Sequence, residues 1–177
     1  MRQFLILAAC CMPVIAWAVG SEEQEPPKPT ETTLECKDGR VWDDALKRCV
    51  DIKSGALDDD ALYDAAREFA YAGQLDNAIS ALAAMSNPRE DRVLTYMGFS
   101  LRKSGDVSRG MEYYEAALAA NPDNLLARSY MGQGFVALGK IERAEEQLAE
   151  IRARGGAGSW PETALVRAIG AGFSLDY

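Results

Sequence analysis

The residues of this chain that could do chemistry are few, and their spacing favours binding or structure over catalysis. Histidine is absent from all 177 residues, which excludes Ser-His-Asp and Cys-His arrangements and histidine metal sites. The run Gly132-Gln133-Gly134 lacks the preceding strand and the third glycine of a nucleotide-binding loop. Glutamates over 142–150 are spaced as on a solvated helix face. We therefore expect no catalytic, cofactor-binding or metal-binding residues, and no enzymatic activity.

Residues 1–18 have the composition of an export signal. Residues 4–18 form an apolar run, and Ala16 and Ala18 place small residues where an export peptidase reads them, which predicts cleavage after Ala18. The run is shorter than the roughly 20 residues that span a bilayer as a helix, so no stable membrane span is expected after cleavage. We expect an exported, periplasmic protein. The run Leu7-Ala8-Ala9-Cys10 resembles a lipobox, so a lipoprotein anchored through Cys10 is the alternative.

Two segments separate this signal from the rest of the chain. Residues 19–33 are rich in Glu, Pro and Thr, which predicts a disordered linker. Residues 34–57 form a small unit around Cys36 and Cys49, which are expected to form a disulfide in an oxidising compartment. Closing such a loop contributes about 3 kcal/mol in the chain-entropy model.

The same loop permits two interpretations. Asp38-Gly39 predicts a tight turn, followed by a short strand over 40–42. The loop is either a structural staple or a small recognition loop that presents Trp42, Lys47 and Arg48.

Helical periodicity starts after the acidic triplet at 58–60, which supplies an N-cap and negative charge at a helix N-terminus. The spaced ligands of an EF-hand are missing there. Glycine and proline breaks divide the chain beyond this triplet into short-linked, antiparallel helices. The predicted helices cover 60–72, 75–85, 91–103, 107–120, 124–138, 141–154 and 161–171.

Within this helical part, residues 91–158 contain one pattern written twice at a spacing of 34 residues. A period of this length with helical content indicates a stacked array of helix hairpins. The paired positions are Met97 with Met131, Gly98 with Gly132, Gly105 with Gly139, Gly110 with Ala144, and Tyr114 with Leu148.

On these residues, and on the closing Pro122, the chain resembles the tetratricopeptide repeat family. The resemblance implies an all-α, right-handed α-solenoid of about three helix hairpins plus a C-terminal capping helix, preceded by the small disulfide-closed loop. The array would span 58–172 and be followed by a tail at 173–177. Its repeats would be 59–90, 91–124 and 125–158, with the capping helix at 161–171. Ala66, Gly98 and Gly132 would be small because the two helices of each hairpin cross there.

The resemblance also implies a ligand-facing groove on the first helix of each hairpin. Basic residues are common at the implied positions, so we expect the groove to bind a peptide with acidic and aromatic groups. The alternative is that these side chains only solvate a concave face. The implied groove residues are Tyr63, Arg67, Tyr71, Arg92, Thr95, Phe99, Arg102, Lys103, Ser129 and Gln133.

These observations favour one class of function. The net charge of −8 argues against general nucleic-acid binding. We expect a non-catalytic protein-interaction scaffold of the bacterial envelope, with a protein or peptide partner in the groove. The alternative is a protein that binds a small ligand or a cell-wall glycan through the cysteine loop and the groove together.

Overall fold

The computed structural model describes residues 24–172, most of which are helical. A short N-terminal unit precedes seven longer helices. The elements in chain order are α1 (Glu31–Leu34), β1 (Val41–Asp43), β2 (Arg48–Val50), a 3-10 turn (Ile52–Ser54), α2 (Asp59–Tyr71), α3 (Leu75–Ala84), α4 (Asp91–Lys103), α5 (Val107–Ala120), α6 (Leu125–Ala137), α7 (Ile141–Ala153) and α8 (Trp160–Ala171).

The helix ends follow from their local sequence. The side chain of Asp58 accepts a hydrogen bond from the Ala61 backbone N–H at 2.8 Å and caps α2. Asn124 caps α6 in the same way, through the Ala127 N–H at 2.8 Å. Gly105 ends the first helix of its hairpin with a φ of 99°, a left-handed conformation that suits glycine. The seven predicted helices are confirmed, with bounds that differ by at most one residue.

The helices form a solenoid, as predicted. The pairs α2/α3, α4/α5 and α6/α7 are antiparallel hairpins, and α8 packs against α6 and α7. One continuous core cluster extends from Val41 in the N-terminal unit to Ala168 in α8. Neighbouring hairpins therefore share their apolar surface, which is how such arrays are stabilised.

Glycines mark where helices approach most closely. A Cβ on Gly98 would lie 2.9 Å from the Gly110 carbonyl oxygen and 2.6 Å from the Tyr114 ring, so the predicted crossing within the second hairpin is confirmed. Gly132 differs from the prediction, since its nearest neighbour is Leu165 of α8, 2.6 Å from the position of a Cβ. The capping helix lies across α6 at this point and fills the space beside the glycine.

The N-terminal unit covers the open end of the first hairpin. The strands β1 and β2 pair antiparallel, and the Cys36–Cys49 disulfide closes the loop. Val41 is 2 % exposed and belongs to the main core. A Cβ on Gly39 would lie 2.6 Å from the Asn77 side chain. The loop thus packs onto α3, as a structural staple would.

Residues 24–33 differ from the disordered linker that their composition predicts. Thr30 caps α1 with its own side chain. The carboxylate of Glu68, in α2, accepts bonds from the Thr30 N–H at 2.7 Å, the Thr30 hydroxyl at 2.5 Å, the Thr33 N–H at 3.0 Å and the Thr33 hydroxyl. A low apolar content does not prevent order here, because a buried charge supplies the partners.

The acidic triplet is divided among three separate contacts. Asp59 accepts hydrogen bonds from the backbone N–H and the hydroxyl of Ser86. These bonds lower the pKa of the Asp59 carboxyl. Asp60 forms an ion pair with Arg92 at 2.8 Å. With Asp58 as a helix cap, the triplet is used for structure, as predicted.

Several predictions fall on residues outside the described range of 24–172. They are cleavage after Ala18, lipidation of Cys10, the linker residues 19–23 and the tail over 173–177. Within the described range, no helix combines the length and apolar character needed to cross a bilayer.

Candidate functional site: the concave groove

The first helices of the three hairpins, α2, α4 and α6, lie side by side and carry a continuous set of aromatic rings. Tyr63 meets Tyr96 edge-on with ring centroids 5.7 Å apart. Tyr71 stacks on Phe99 at 5.4 Å, and Phe99 meets Tyr130 at 4.8 Å. Aromatic pairs at these distances are attractive beyond their buried area. The rings tie the three hairpins together as an aromatic wall that belongs to the core beneath the predicted groove, since Tyr63, Tyr96, Phe99 and Tyr130 are at most 3 % exposed.

The hydroxyls of Tyr71 and Tyr130 complete this wall, because their oxygens lie 2.7 Å apart in a hydrogen bond. Tyr130 is fully buried. Burial, together with the neighbouring Tyr96 and Tyr71, holds the pKa of the Tyr130 hydroxyl well above its ordinary value. The hydroxyl therefore stays neutral over the physiological range.

The basic side chains of the groove are engaged within the protein. Arg67 donates to the Glu25 carbonyl oxygen at 2.9 Å and to the Tyr96 hydroxyl at 3.3 Å. Its guanidinium also lies 3.5 Å from the Asp64 carboxylate. Burial opposes the charge of Arg67, but Tyr96, Tyr63 and Asp64 outweigh burial and raise the pKa of the guanidinium. Arg67 is therefore a charged part of the wall.

Arg92 and Arg102 are also engaged in contacts within the protein. The Arg92 guanidinium pairs with Asp60 at 2.8 Å and with Glu90 at 2.5 Å. It also lies 4.7 Å from the centroid of the Tyr63 ring, within the range of a cation–π contact. Arg102 donates to the Tyr114 hydroxyl at 3.3 Å. The ion pairs of Arg67 and Arg92 reduce the excess of positive charge on which the expectation of an acidic partner depended.

The predicted polar residues of the groove are mostly buried. The Thr95 hydroxyl donates to the Asp91 carbonyl oxygen at 2.7 Å. The Gln133 amide donates to the Ser129 hydroxyl at 3.4 Å. Of the predicted groove residues, those less than a tenth exposed are Tyr63, Arg67, Thr95, Phe99, Arg102, Ser129 and Gln133. The partly exposed ones are Tyr71, Arg92 and Lys103.

A cavity of about 480 Å³ opens where α4 and α6 begin. Asp91 lies at its edge and accepts hydrogen bonds from the side-chain amides of Asn121 and Asn124, both at 2.8 Å. Asn124 also donates to the Thr95 hydroxyl at 3.1 Å. Among the further lining residues are Gln24, Tyr63, Glu90, Arg92, Asp123 and Leu126. Within the described part of the chain, the lining is therefore polar and carries more carboxylates than guanidinium groups.

Several lining residues of this cavity were not predicted as site residues. Asn121, Asp123 and Asn124 belong to the turn between α5 and α6. A sequence signal for them does exist, because Asn87-Pro88 and Asn121-Pro122 recur at the repeat spacing of 34. The prolines alone predict only helix breaks at these turns. A repeated turn beside a concave face also places its polar side chains at the edge of that face.

The described residues contain no group of three or more His, Cys, Asp or Glu side chains placed to hold a metal ion. The site offers side-chain amides, partly exposed charged groups and the apolar side chain of Leu125. This combination suits recognition of a polypeptide segment better than bond-making chemistry.

Known proteins resemble this chain in sequence and in fold. Residues 101–158 match the sequence model of the tetratricopeptide repeat family. A solved structure of PcrH in complex with the chaperone binding region of PopB is similar to 65 % of this chain and to 94 % of that chain, with a TM-score of 0.52 and 20 % sequence identity. No curated protein matches the sequence. The match supports the sequence resemblance over residues 101–158, and the likeness to PcrH supports the fold of the helical part.

Proposed function

We propose that this protein is a non-catalytic scaffold whose concave groove binds a segment of a partner protein. The observation that carries the proposal is the polar cavity beside the aromatic wall of α2, α4 and α6. A cavity of about 480 Å³ holds a few side chains of an extended peptide. A tetratricopeptide array supplies rigid helices on which such a groove keeps its shape.

The structure of PcrH supports this proposal by analogy. It contains PcrH in complex with the chaperone binding region of PopB, which is a segment of another protein. At 20 % identity the likeness concerns the fold, so the identity of that partner is not transferred. A protein or peptide partner is the class that the fold favours.

The charges at the cavity refine the chemistry of the partner. In the described part of the chain, Glu90, Asp91 and Asp123 line the cavity with a single guanidinium group, that of Arg92. Glu90 pairs with Arg92 at 2.5 Å and Asp123 pairs with Arg154 at 3.1 Å, so the excess negative charge lies mainly at Asp91. A basic or neutral polar side chain complements this lining better than an acidic one. Leu125 lines the cavity and is partly exposed, which favours a partner that also presents an apolar side chain. We propose a peptide with these two features in place of the acidic peptide expected from the sequence.

We further propose that the protein acts in the bacterial envelope after export. The support comes from the signal-like residues 1–18 and from the disulfide between Cys36 and Cys49, a bond typical of oxidising compartments. The glycan-binding alternative depended on the cysteine loop. In that loop the Trp42 indole N–H donates to Asp44 at 3.3 Å, and Lys47 pairs with Asp44 at 3.1 Å. These polar groups are engaged with one another, which favours the peptide over the glycan.

Site-specific photo-crosslinking tests the proposed function. A photoreactive residue at Asp123, which is exposed at the cavity, should crosslink to a distinct protein in envelope extracts. The same residue at exposed Glu145 on α7 is the matched control. The purified crosslinked protein should then bind the full chain, with weaker binding when Asp123 and Glu90 are replaced by lysine. Equal crosslinking at both positions, or undiminished binding to the lysine variant, would contradict the proposal.

A further inference from the structure

The segment before the disulfide loop touches the array at two separate places. Its downstream end is held by Glu68, which is 6 % exposed and accepts hydrogen bonds from the backbone and hydroxyl groups of Thr30 and Thr33. Several hydrogen bonds to one buried carboxylate hold this end more firmly than a single contact would. The backbone N–H of Trp42 also donates to the Thr32 hydroxyl at 3.2 Å, which joins this end to the disulfide loop. This end is therefore an anchor.

The upstream end of the segment reaches the concave face. The Glu25 carbonyl oxygen accepts a hydrogen bond from the Arg67 guanidinium at 2.9 Å. Gln24 lines the polar cavity together with Tyr63, Arg92 and Leu126. The contact at Arg67 involves the backbone of the segment, so any extended chain with a carbonyl oxygen at this point could make it.

The sequence between the two ends suits this arrangement. Pro26, Pro27 and Pro29 restrict the backbone to extended conformations, and Pro26 and Pro27 are half-buried. A restricted chain loses little entropy when it docks. The segment thus has the properties of a peptide ligand that is covalently attached to its own receptor.

We propose that residues 24–33, here named the N-terminal strap, are an intramolecular ligand of the groove that a partner segment displaces. The proposal rests on the proposed function, since it states how the partner gains access. The anchor at Glu68 sets how tightly the strap is held, and a partner takes the place of residues 24–29 at Arg67 when the strap is undocked. The partner is an extended, proline-containing polypeptide segment that offers Arg67 a backbone carbonyl oxygen, as the strap does.

Tethering sets the size of the expected effect. A ligand attached by a short linker experiences a millimolar effective concentration. The apparent Kd of a competing peptide in solution is therefore its intrinsic Kd divided by the fraction of time that the strap is undocked. Loosening the anchor should expose the site to peptide in solution.

The experiment uses the full chain and a fluorescent synthetic peptide with the sequence of residues 24–35. Fluorescence anisotropy compares the wild type with the T30V/T33V double variant, which loses both hydroxyl donors to Glu68. We expect the double variant to bind the peptide about tenfold more tightly than the wild type. The Glu35→Ala variant changes an exposed residue of the same region and should bind as the wild type does. A peptide that carries valine at both threonine positions should bind the double variant less well.

Amide hydrogen exchange on the same samples separates a loosened strap from an unfolded array. In the double variant the amides of Thr30 and Thr33 should exchange faster, while those of α4 and α6 stay protected. Should the array lose protection, the single variant T33V replaces the double variant. Equal peptide affinity for wild type and variant, or no binding to a folded variant, would contradict the proposal that the strap is an intramolecular ligand.

The strap experiment uses no partner protein, so its outcome is independent of the crosslinking test. A strap that binds as expected while Asp123 captures no partner would reject the proposed function alone. A partner captured at Asp123 while the peptide fails to bind would reject the strap alone.

Discussion

The carbonyl oxygen of Gly110 lies 2.9 Å from the point where a Cβ of Gly98 would stand. Both partners at this crossing of α4 and α5 are backbone or ring atoms, because the Tyr114 ring lies 2.6 Å from the same point. Neither group can move aside as the end of a flexible side chain could. The second hairpin therefore requires glycine at position 98.

Gly98→Ala should destabilise the protein by about 1–3 kcal/mol, the usual cost of overpacking a core. Urea unfolding followed by circular dichroism measures the loss. Gly170→Ala is the matched control, because Gly170 is exposed in α8 and a Cβ there would meet none of the described residues within 4 Å. The control should gain about 0.4–1 kcal/mol, since alanine has less conformational freedom in the unfolded chain. Equal stabilities of the two variants would contradict the crossing.

Glu68→Ala should release the strap and lower the stability of the N-terminal end. The substitution leaves the donors of Thr30 and Thr33 without the carboxylate that they contact, which costs about 1–3 kcal/mol if they stay buried. Amide exchange at these two residues, with urea unfolding, measures both effects. Glu35→Ala should leave both quantities unchanged. Protection that persists at Thr30 and Thr33 in the Glu68 variant would show that other contacts hold the strap.

Loss of the disulfide should destabilise the N-terminal unit. We expect the C36S/C49S variant to lose about 3 kcal/mol, from the greater freedom of the unfolded chain. The melting temperature of the wild type should fall on addition of dithiothreitol, whereas that of the variant should not respond. An unchanged wild-type melting temperature under full reduction would mean that the contacts of Val41 alone hold the loop.

Alkaline pH should destabilise the aromatic wall through Tyr130. The folded state raises the pKa of this hydroxyl above its unfolded value near 10, so folding favours the neutral form. That contribution is fully present below pH 10 and is lost as the pH rises towards the folded-state pKa. Tyr130→Phe removes the titrating group and should flatten the decline of stability above pH 10.

At neutral pH, Tyr130→Phe should lower the free energy of unfolding by about 1 kcal/mol, because the hydrogen bond with Tyr71 is lost. Unfolding free energies measured between pH 7 and 11 give both quantities. Identical alkaline slopes for wild type and variant would mean that Tyr130 ionises normally in the folded protein.

Local sequence was sufficient for the helices and their order. Caps such as Asp58 and breaks such as Gly105 are local signals that act over a few residues. The spacing of 34 residues between Gly98 and Gly132 made the hairpin array predictable, because repeated patterns produce repeated contacts. The fixed places of the repeat also led to the ten predicted groove residues, of which seven are less than a tenth exposed.

Only the tertiary structure decided what each of these residues contacts. Gly132 meets Leu165 of the capping helix instead of a residue of its own hairpin. Gly134, which the repeat pattern left unexplained, leaves room for the Met111 sulfur, 2.5 Å from the position of a Cβ. Of the basic residues of the groove, Arg67 and Arg92 pair with Asp60, Asp64 and Glu90, whose side chains local sequence cannot place.

The strap is the sharpest example of this division. The composition of residues 19–33 predicts disorder, and composition is a local property. Glu68 lies 38 positions after Thr30 in the chain, yet its carboxylate supplies the bonds that order the segment. Local sequence determines which backbone conformations are favourable, and packing over long separations determines which polar groups become partners. The helices of this protein therefore depend on local sequence, and its groove depends on packing over long separations.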